Sequence, residues 1–143
     1  MQLELVSLDG IKYKEDAYAI TLPTASGEIT VMPGHEPLLS LLAPGAIVIR
    51  KHKKDADTSL EHYATFGGVL EITSQKVRVL VDEATHGDEI NVAEAEKAHA
   101  AAVELRKSAT TKVELDKAQS LIDRHAVRIH VANLRRRHRA HRR

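Results

Sequence analysis

Cysteine is absent from this 143-residue chain, which excludes disulfides, thiolate nucleophiles and thiolate metal ligands and fits a reducing compartment. Tryptophan is absent as well. Tyr13, Tyr18, Tyr63 and Phe66 are the only aromatics, so the core must be built from Leu, Ile, Val and Ala, and few side chains can stack on nucleic-acid bases. No run approaches the ~20 apolar residues of a membrane-spanning helix. The opening Met-Gln-Leu-Glu-Leu lacks the basic-then-apolar pattern of a secretory leader, and none is expected. Any work at a membrane would go through partners.

Charge of one sign is also lacking, since the formal net charge is +1. That balance hides a division. Residues 1–84 carry 8 basic and 12 acidic side chains, net −4, and residues 85–143 carry 13 and 8, net +5. A basic C-terminal part suggests an acidic partner for it.

Only four prolines are present, and three of them, Pro33, Pro37 and Pro44, fall within residues 27–45 together with three of the seven glycines. Proline fixes φ and glycine permits φ > 0. The segment therefore reads as a strand over 28–32, a tight turn at Pro33-Gly34, a short apolar passage and a second turn at Pro44-Gly45. His35 and Glu36 follow the first turn and should sit on an exposed loop.

Leu3 and Leu5 alternate with polar neighbours, as do Tyr18, Ile20 and Leu22 before Pro23, and both stretches read as half-buried strands. Asp9-Gly10 signals a turn with a strand from Ile11 to Tyr13 behind it. Further strands are expected over 46–51, 60–65, 69–73 and 77–81, with a charged loop over 51–59. Many short strands punctuated by Gly and Pro predict an all-β sandwich or barrel over residues 1–84.

The pattern changes near residue 85. Thr85-His86-Gly87-Asp88 reads as a hinge linker, residues 85–89, with Gly87 as pivot. Asn91-Val92-Ala93-Glu94 forms a capping box, and Ala95, Ala98, Ala102, Leu105 and Ala109 make a helical stripe of mostly small residues. A turn at Ser108-Ala109-Thr110 precedes a second capping box, Thr111 to Glu114. The stripe Leu115, Ala118, Ile122, Ile129, Ala132 then gives a second helix ending within 134–137, although Val127, Ile129 and Val131 also alternate at period two. Residues 90–143 thus predict an antiparallel α-helical hairpin. Its Ala-rich face is weak, so it should depend on docking to the sandwich or to another protein.

No catalytic constellation emerges, and an enzyme in its own right is not expected. His35-Glu36 starts like a zinc-binding helix motif, but Pro37 follows and position 39 is Leu. His138 and His141 lack acidic or thiol partners. There is no phosphate loop ending in Gly-Lys-Ser/Thr. The strongest remaining signal is the acid-free stretch 124–143 with its eight arginines: Arg124, Arg128, Arg135, Arg136, Arg137, Arg139, Arg142 and Arg143. It reads as a solvated basic tail, a grip on an acidic protein, or a nucleic-acid contact.

Several stretches carry a family resemblance. Gly27, Glu28, Ile29, Val31, Pro33, Gly34, His35, Pro37, Leu38 and Leu39, then Pro44-Gly45, match the signature of the ε subunit of F-type ATP synthases. Phe66-Gly67-Gly68-Val69-Leu70-Glu71-Ile72 and Val79-Leu80-Val81-Asp82-Glu83-Ala84 are similar to two further family segments. The resemblance implies a non-catalytic rotor subunit on the cytoplasmic face of the membrane. Its sandwich would grip the γ subunit and rest on the c-ring through Glu28 and His35. Its hairpin would swing about Gly87 into the catalytic α/β head and inhibit ATP hydrolysis, with Arg124, Arg128, Arg135, Arg136 and Arg137 meeting the β subunits. Some family members bind ATP at a first helix starting roughly (Ile/Leu)-Asp-x-x-Arg-Ala. Here the sequence is Ile90-Asn91-Val92-Ala93-Glu94-Ala95, which argues against nucleotide binding, and no cofactor is expected. Two readings stay open at this point: a rotor-stalk regulator with no nucleic-acid partner, and a small sandwich whose basic helical tail binds nucleic acid.

Overall fold

A computed structural model describes residues 1–140; His141, Arg142 and Arg143 lie outside the described residues. Eight strands come first: β1 (Gln2–Ser7), β2 (Gly10–Asp16), β3 (Ala19–Thr24), β4 (Gly27–Val31), β5 (Leu38–Arg50), β6 (Glu61–Ile72), β7 (Lys76–Val81) and β8 (Ala84–His86). Two helices follow, α1 (Val92–Ser108) and α2 (Lys112–Ala140). The strands run in the order β2-β1-β7-β6-β5-β3-β4, with β8 on β6. Pairing is antiparallel except between β1 and β7. This is the expected β-sandwich followed by a two-helix region.

Period-two alternation accounts for the core. Leu3, Leu5, Ile20, Leu22, Val31, Ile47, Ile49, Leu70, Val77 and Val79 all point inward and are buried. Their removal from water is the main force holding the sandwich together.

The sandwich closes by bending two long strands, a device the sequence reading missed. Pro44-Gly45 and Gly67-Gly68 do not end strands. β5 runs unbroken from Leu38 to Arg50 and pairs with β6 along its length, Leu42 opposite Gly68 and Pro44 opposite Phe66. The C-terminal end of β6 thus lies between the first half of β5 and β7, while its N-terminal end lies between the second half of β5 and β8. Gly67 and Gly68 both have positive φ, and a Cβ on Gly68 would lie 2.2 Å from the Leu80 carbonyl oxygen. Only glycine lets the β6 backbone turn this close to β7. Pro23 likewise lies inside β3, at a break in the β3–β5 register, where its missing N–H costs no ladder bond. It packs on Gly45, whose added Cβ would meet the Pro23 ring at 2.9 Å.

The turn after β4 forms as expected, the His35 amide donating to Met32 O at 3.1 Å. The charged loop after β5 contains a 3-10 turn, Asp57–Ser59. Of the stretch read as a linker, Thr85 and His86 belong to β8, and Gly87–Glu89 form a second 3-10 turn.

Both helices are capped as expected, and the second cap has the reciprocal bond of a capping box. The Asn91 side chain accepts from the Glu94 amide at 3.2 Å and the Thr111 hydroxyl from the Glu114 amide at 3.2 Å. The Glu114 carboxylate reaches back to the Thr110 amide at 3.0 Å, and those backbone donors hold it below the usual carboxylate range. α2 does not stop within 134–137 but continues to Ala140. Arginine is a good helix former, and the chain offers no glycine or proline there. The period-two run at Val127, Ile129 and Val131 is helical.

Candidate functional site: the docked hairpin and an outward apolar row

α2 forms a third layer on one outer face of the sandwich. β6 alternates so that Tyr63 faces the core, while Ala64 and Phe66 face α2. Ala46, Ala64 and Val131 are buried at the centre of this seam, with Val48, Phe66, Ile90, Val127 and Leu134 packed around them. The seam is small and contains two alanines, so its apolar contribution is modest. α1 packs on α2 through Ala95, Ala102, Ala118 and Ile122, and the Arg106 guanidinium donates to Gln119 at 2.8 Å.

Polar ties flank the seam at both ends. Arg124 and Arg128 each donate to one oxygen of Glu83 at 2.6 Å, and their guanidiniums lie 4.6 and 5.4 Å from the Phe66 ring centre. Further along α2, Arg135 pairs with Asp88 and donates to Gly87 O at 3.2 Å. Arg139 approaches the same Asp88 oxygen at 3.4 Å. His62 Nε2 and His138 Nδ1 are 2.9 Å apart. Arg124, Arg128 and Arg135, expected to face catalytic subunits, are therefore held within the chain in this arrangement; the side chains of Arg136 and Arg137 are exposed.

Gly87 is buried, with His62 O and the Arg135 side chain against it. A Cβ there would meet Arg135 Cδ at 3.2 Å and His62 O at 3.4 Å. Its φ is not positive, so close packing under α2 is what requires glycine here.

The opposite surface carries an apolar row. Register places Leu41 of β5 beside Val69 of β6, then Leu80 of β7, Val6 of β1 and Ile11 of β2. These side chains point outward, and Leu41, Leu80 and Ile11 are exposed. The next row along is charged, where Glu4 is tied to Arg78 at 3.2 Å, Lys14 at 3.7 Å and Lys76 at 3.8 Å. An apolar stripe with a polar border, spanning five strands, is the composition of a protein contact surface. Sequence reading missed it because register alone lines these residues up.

Glu28 lies exposed in β4 and His35 half-exposed in the turn beyond that strand. The His35 ring Nδ1 donates to Glu36 O at 2.7 Å, bracing its own loop. Between α1, α2 and the linker lies a cleft of about 320 Å³ lined by Glu89, Asn91, Glu94, His125 and Arg128. Burial pushes the His125 ring down, with Arg128 acting the same way. Arg128, the cation in this lining, is engaged by Glu83. Among the described residues, no group of three or more His, Asp or Glu side chains is placed to hold a metal ion, and no helix is long and apolar enough to cross a membrane.

Residues 1–87 match the β-sandwich domain of the ATP synthase delta/epsilon chain. Over 136 residues the chain is 32% identical to the ATP synthase epsilon chain of Herpetosiphon aurantiacus, covering 95% of this chain and 96% of that one. This chain belongs to the epsilon-subunit family of F-type ATP synthases. The solved structures agree on the fold. A chain of the Euglena gracilis mitochondrial ATP synthase, in its OSCP/F1/c-ring assembly, superposes with a TM-score of 0.76 at 24% identity, over 87% of this chain and 76% of that chain. A chain of the Tetrahymena thermophila ATP synthase central stalk and c-ring gives 0.64 at 16% identity, over 92% of this chain and 96% of that one. Membership in the epsilon family places the chain in a complex that synthesises ATP and transports ions.

Proposed function

We propose that this chain is the non-catalytic rotor subunit of its ATP synthase, peripheral on the cytoplasmic face of the membrane. Its sandwich joins γ to the c-ring, and its hairpin restrains ATP hydrolysis. The observation that carries this reading is the way α2 is held. A small alanine-containing seam and a set of surface ion pairs fix it to β5, β6 and the Gly87–Glu89 turn, an attachment weak enough to exchange for another.

The arginines supply the exchange. Arg124, Arg128 and Arg135 grip Glu83 and Asp88 in the docked arrangement. With α2 released about Gly87, the same guanidiniums, joined by Arg136 and Arg137, are available to acidic loops of the catalytic β subunits. Arginine suits both partners because it stays charged and binds carboxylates bidentately. A partner shifts such an equilibrium only by its differential affinity for the two states, and swapping one carboxylate for another keeps that difference small.

The apolar row Leu41, Val69, Leu80, Val6 and Ile11 supports γ as the partner of the sandwich, because an exposed stripe across five strands needs a cover. Glu28 and His35, at the β4 end, are the residues proposed to meet the c-ring loops. The acidic lining of the cleft beside α1 gives no support to a nucleotide there. No nucleic-acid role is proposed for the basic end, because the chain has few aromatics to stack on bases.

The test is capture from detergent-solubilised membranes with this chain as bait. Recovery of γ and the c-ring, lost when Leu41 and Leu80 are both changed to Asp, is the expected result. Recovery of neither from membranes that contain assembled synthase contradicts the reading.

A further inference from the structure

His62 is a buried polar ring with charged side chains around it. It sits on β6 and is 2% exposed, roofed by α2. Among the described residues its side-chain hydrogen-bond partner is 76 residues away, His138 on the last turns of α2, at 2.9 Å with ring centres 5.0 Å apart. A hydrogen bond between two imidazoles needs one nitrogen with a proton and one without. Two neutral rings satisfy it, and so does one imidazolium with one neutral ring. Two imidazoliums do not, because both facing nitrogens then carry hydrogens and both rings carry charge.

The groups around the pair leave little to offset a second charge. From α2, Arg135 and Arg139 face it, and from β8 and the turn after it, His86 and Asp88; Glu61 and Asp57 complete the ring of titratable and charged side chains. Asp88 is taken up by Arg135 and Arg139, and Glu61 by Lys51 at 3.0 Å. A cleft of about 290 Å³ bordered by these residues brings water to the edge of the pair.

We propose that the His62–His138 pair is a proton-operated latch, holding α2 on the sandwich while at most one of the two rings carries a proton and releasing it when both do.

The direction follows from linkage. Burial, then the neighbouring His138 and Arg135, push docked His62 down to about 4. With α2 lifted off, the ring meets water and returns toward the ordinary histidine value of about 6.5. The undocked state therefore binds more protons below that value. The latch contributes fully above about pH 6.5 and is lost progressively as pH falls toward 4. Between about pH 7.5 and 5.5 the docked-to-undocked ratio should fall about tenfold.

The latch acts on the docking equilibrium that the proposed function uses for regulation. It is tested on the isolated full chain, with no γ or catalytic subunit present. Failure of the latch thus leaves the stalk assignment standing, and failure of that assignment leaves the latch.

The chain has no native cysteine, so a thiol placed under α2 reports undocking directly. Ala64, fully buried in the seam, is changed to Cys. Its modification rate by a maleimide is divided by that of an unfolded cysteine peptide at the same pH. The normalised rate should rise about tenfold from about pH 7.5 to 5.5, and by less than about threefold when His62→Gln is added, because glutamine keeps the hydrogen bond and cannot titrate. A flat response without His62→Gln, or a rise of about threefold or more with it, overturns the proposal. Should His62→Gln not fold, the ring resonances of His62 in the unaltered chain decide. A midpoint well below 6, moving together with the α2 signals, supports the latch, and one near the ordinary 6.5 overturns it.

Discussion

Arg128 donates to Glu83 at 2.6 Å across 45 residues of sequence, and Arg124 takes the other oxygen of the same carboxylate at the same distance. One acidic residue at the end of the sandwich thus anchors two turns of α2. Glu83→Gln keeps the shape and removes the charge. These groups are partly exposed, so each pair contributes only roughly 0.2–1 kcal/mol. Undocking should become easier by about 1 kcal/mol, a factor of about five. The modification rate of Ala64→Cys should rise by that factor at low salt and by less at high salt, where exposed pairs are screened.

The bend of β6 gives a prediction about stability. A Cβ on Gly68 meets the Leu80 carbonyl oxygen at 2.2 Å and Val81 Cγ1 at 2.9 Å, at a φ of +152°. Gly68→Ala should cost roughly 3 kcal/mol or more, through both backbone strain and a clash that no rotamer relieves. Urea unfolding should show a lowered midpoint, whereas Gly34→Ala, with open space around its Cβ, should show a smaller drop from its positive φ alone.

These glycines also mark how far the sequence could be read. Alternation at Leu3 and Leu5 and the two helix caps depend on neighbours a few residues apart and were legible; the helix stripes were legible in part, since Ala102 and Ala118 are buried but Leu105 and Leu115 are exposed and the buried Val131 was not on them. Pro44-Gly45 and Gly67-Gly68 carry a turn signal, but whether such a pair ends a strand or bends it depends on what lies opposite, here Pro23 and Leu80. The sites were hidden for the same reason. Phe66 and Glu83, outside every strand expected from the sequence, carried only a family match until α2 brings Arg124 and Arg128 to them. His62 read as nothing until His138 arrived from 76 positions away.

Nucleotide binding should be weak. Glu89 and Glu94 line the cleft beside α1, and its Arg128 is already paired. An ATP phosphate placed there meets carboxylates without a free cation. Calorimetry on the isolated chain should show no saturable binding in the micromolar range, and a micromolar dissociation constant would sink this reading.

The c-ring assignment has its own check. Cysteines introduced at Glu28 and at His35 should each cross-link to cysteines in the ring loops of the assembled enzyme. His35 also braces its loop through Glu36 O. Glu28, exposed on β4, is therefore the cleaner of the two sites. Intact complexes with no cross-link from either position would remove both residues from the interface.

Hydrolysis of ATP by the assembled synthase is the most direct test of the account. Residues 110–143 are deleted in one variant, and Arg135, Arg136 and Arg137 are neutralised together in another. Both should raise the hydrolysis rate severalfold, while γ and the c-ring still assemble and proton coupling persists. Unchanged hydrolysis in the deletion, with the complex intact, would contradict the claim that the hairpin restrains the enzyme.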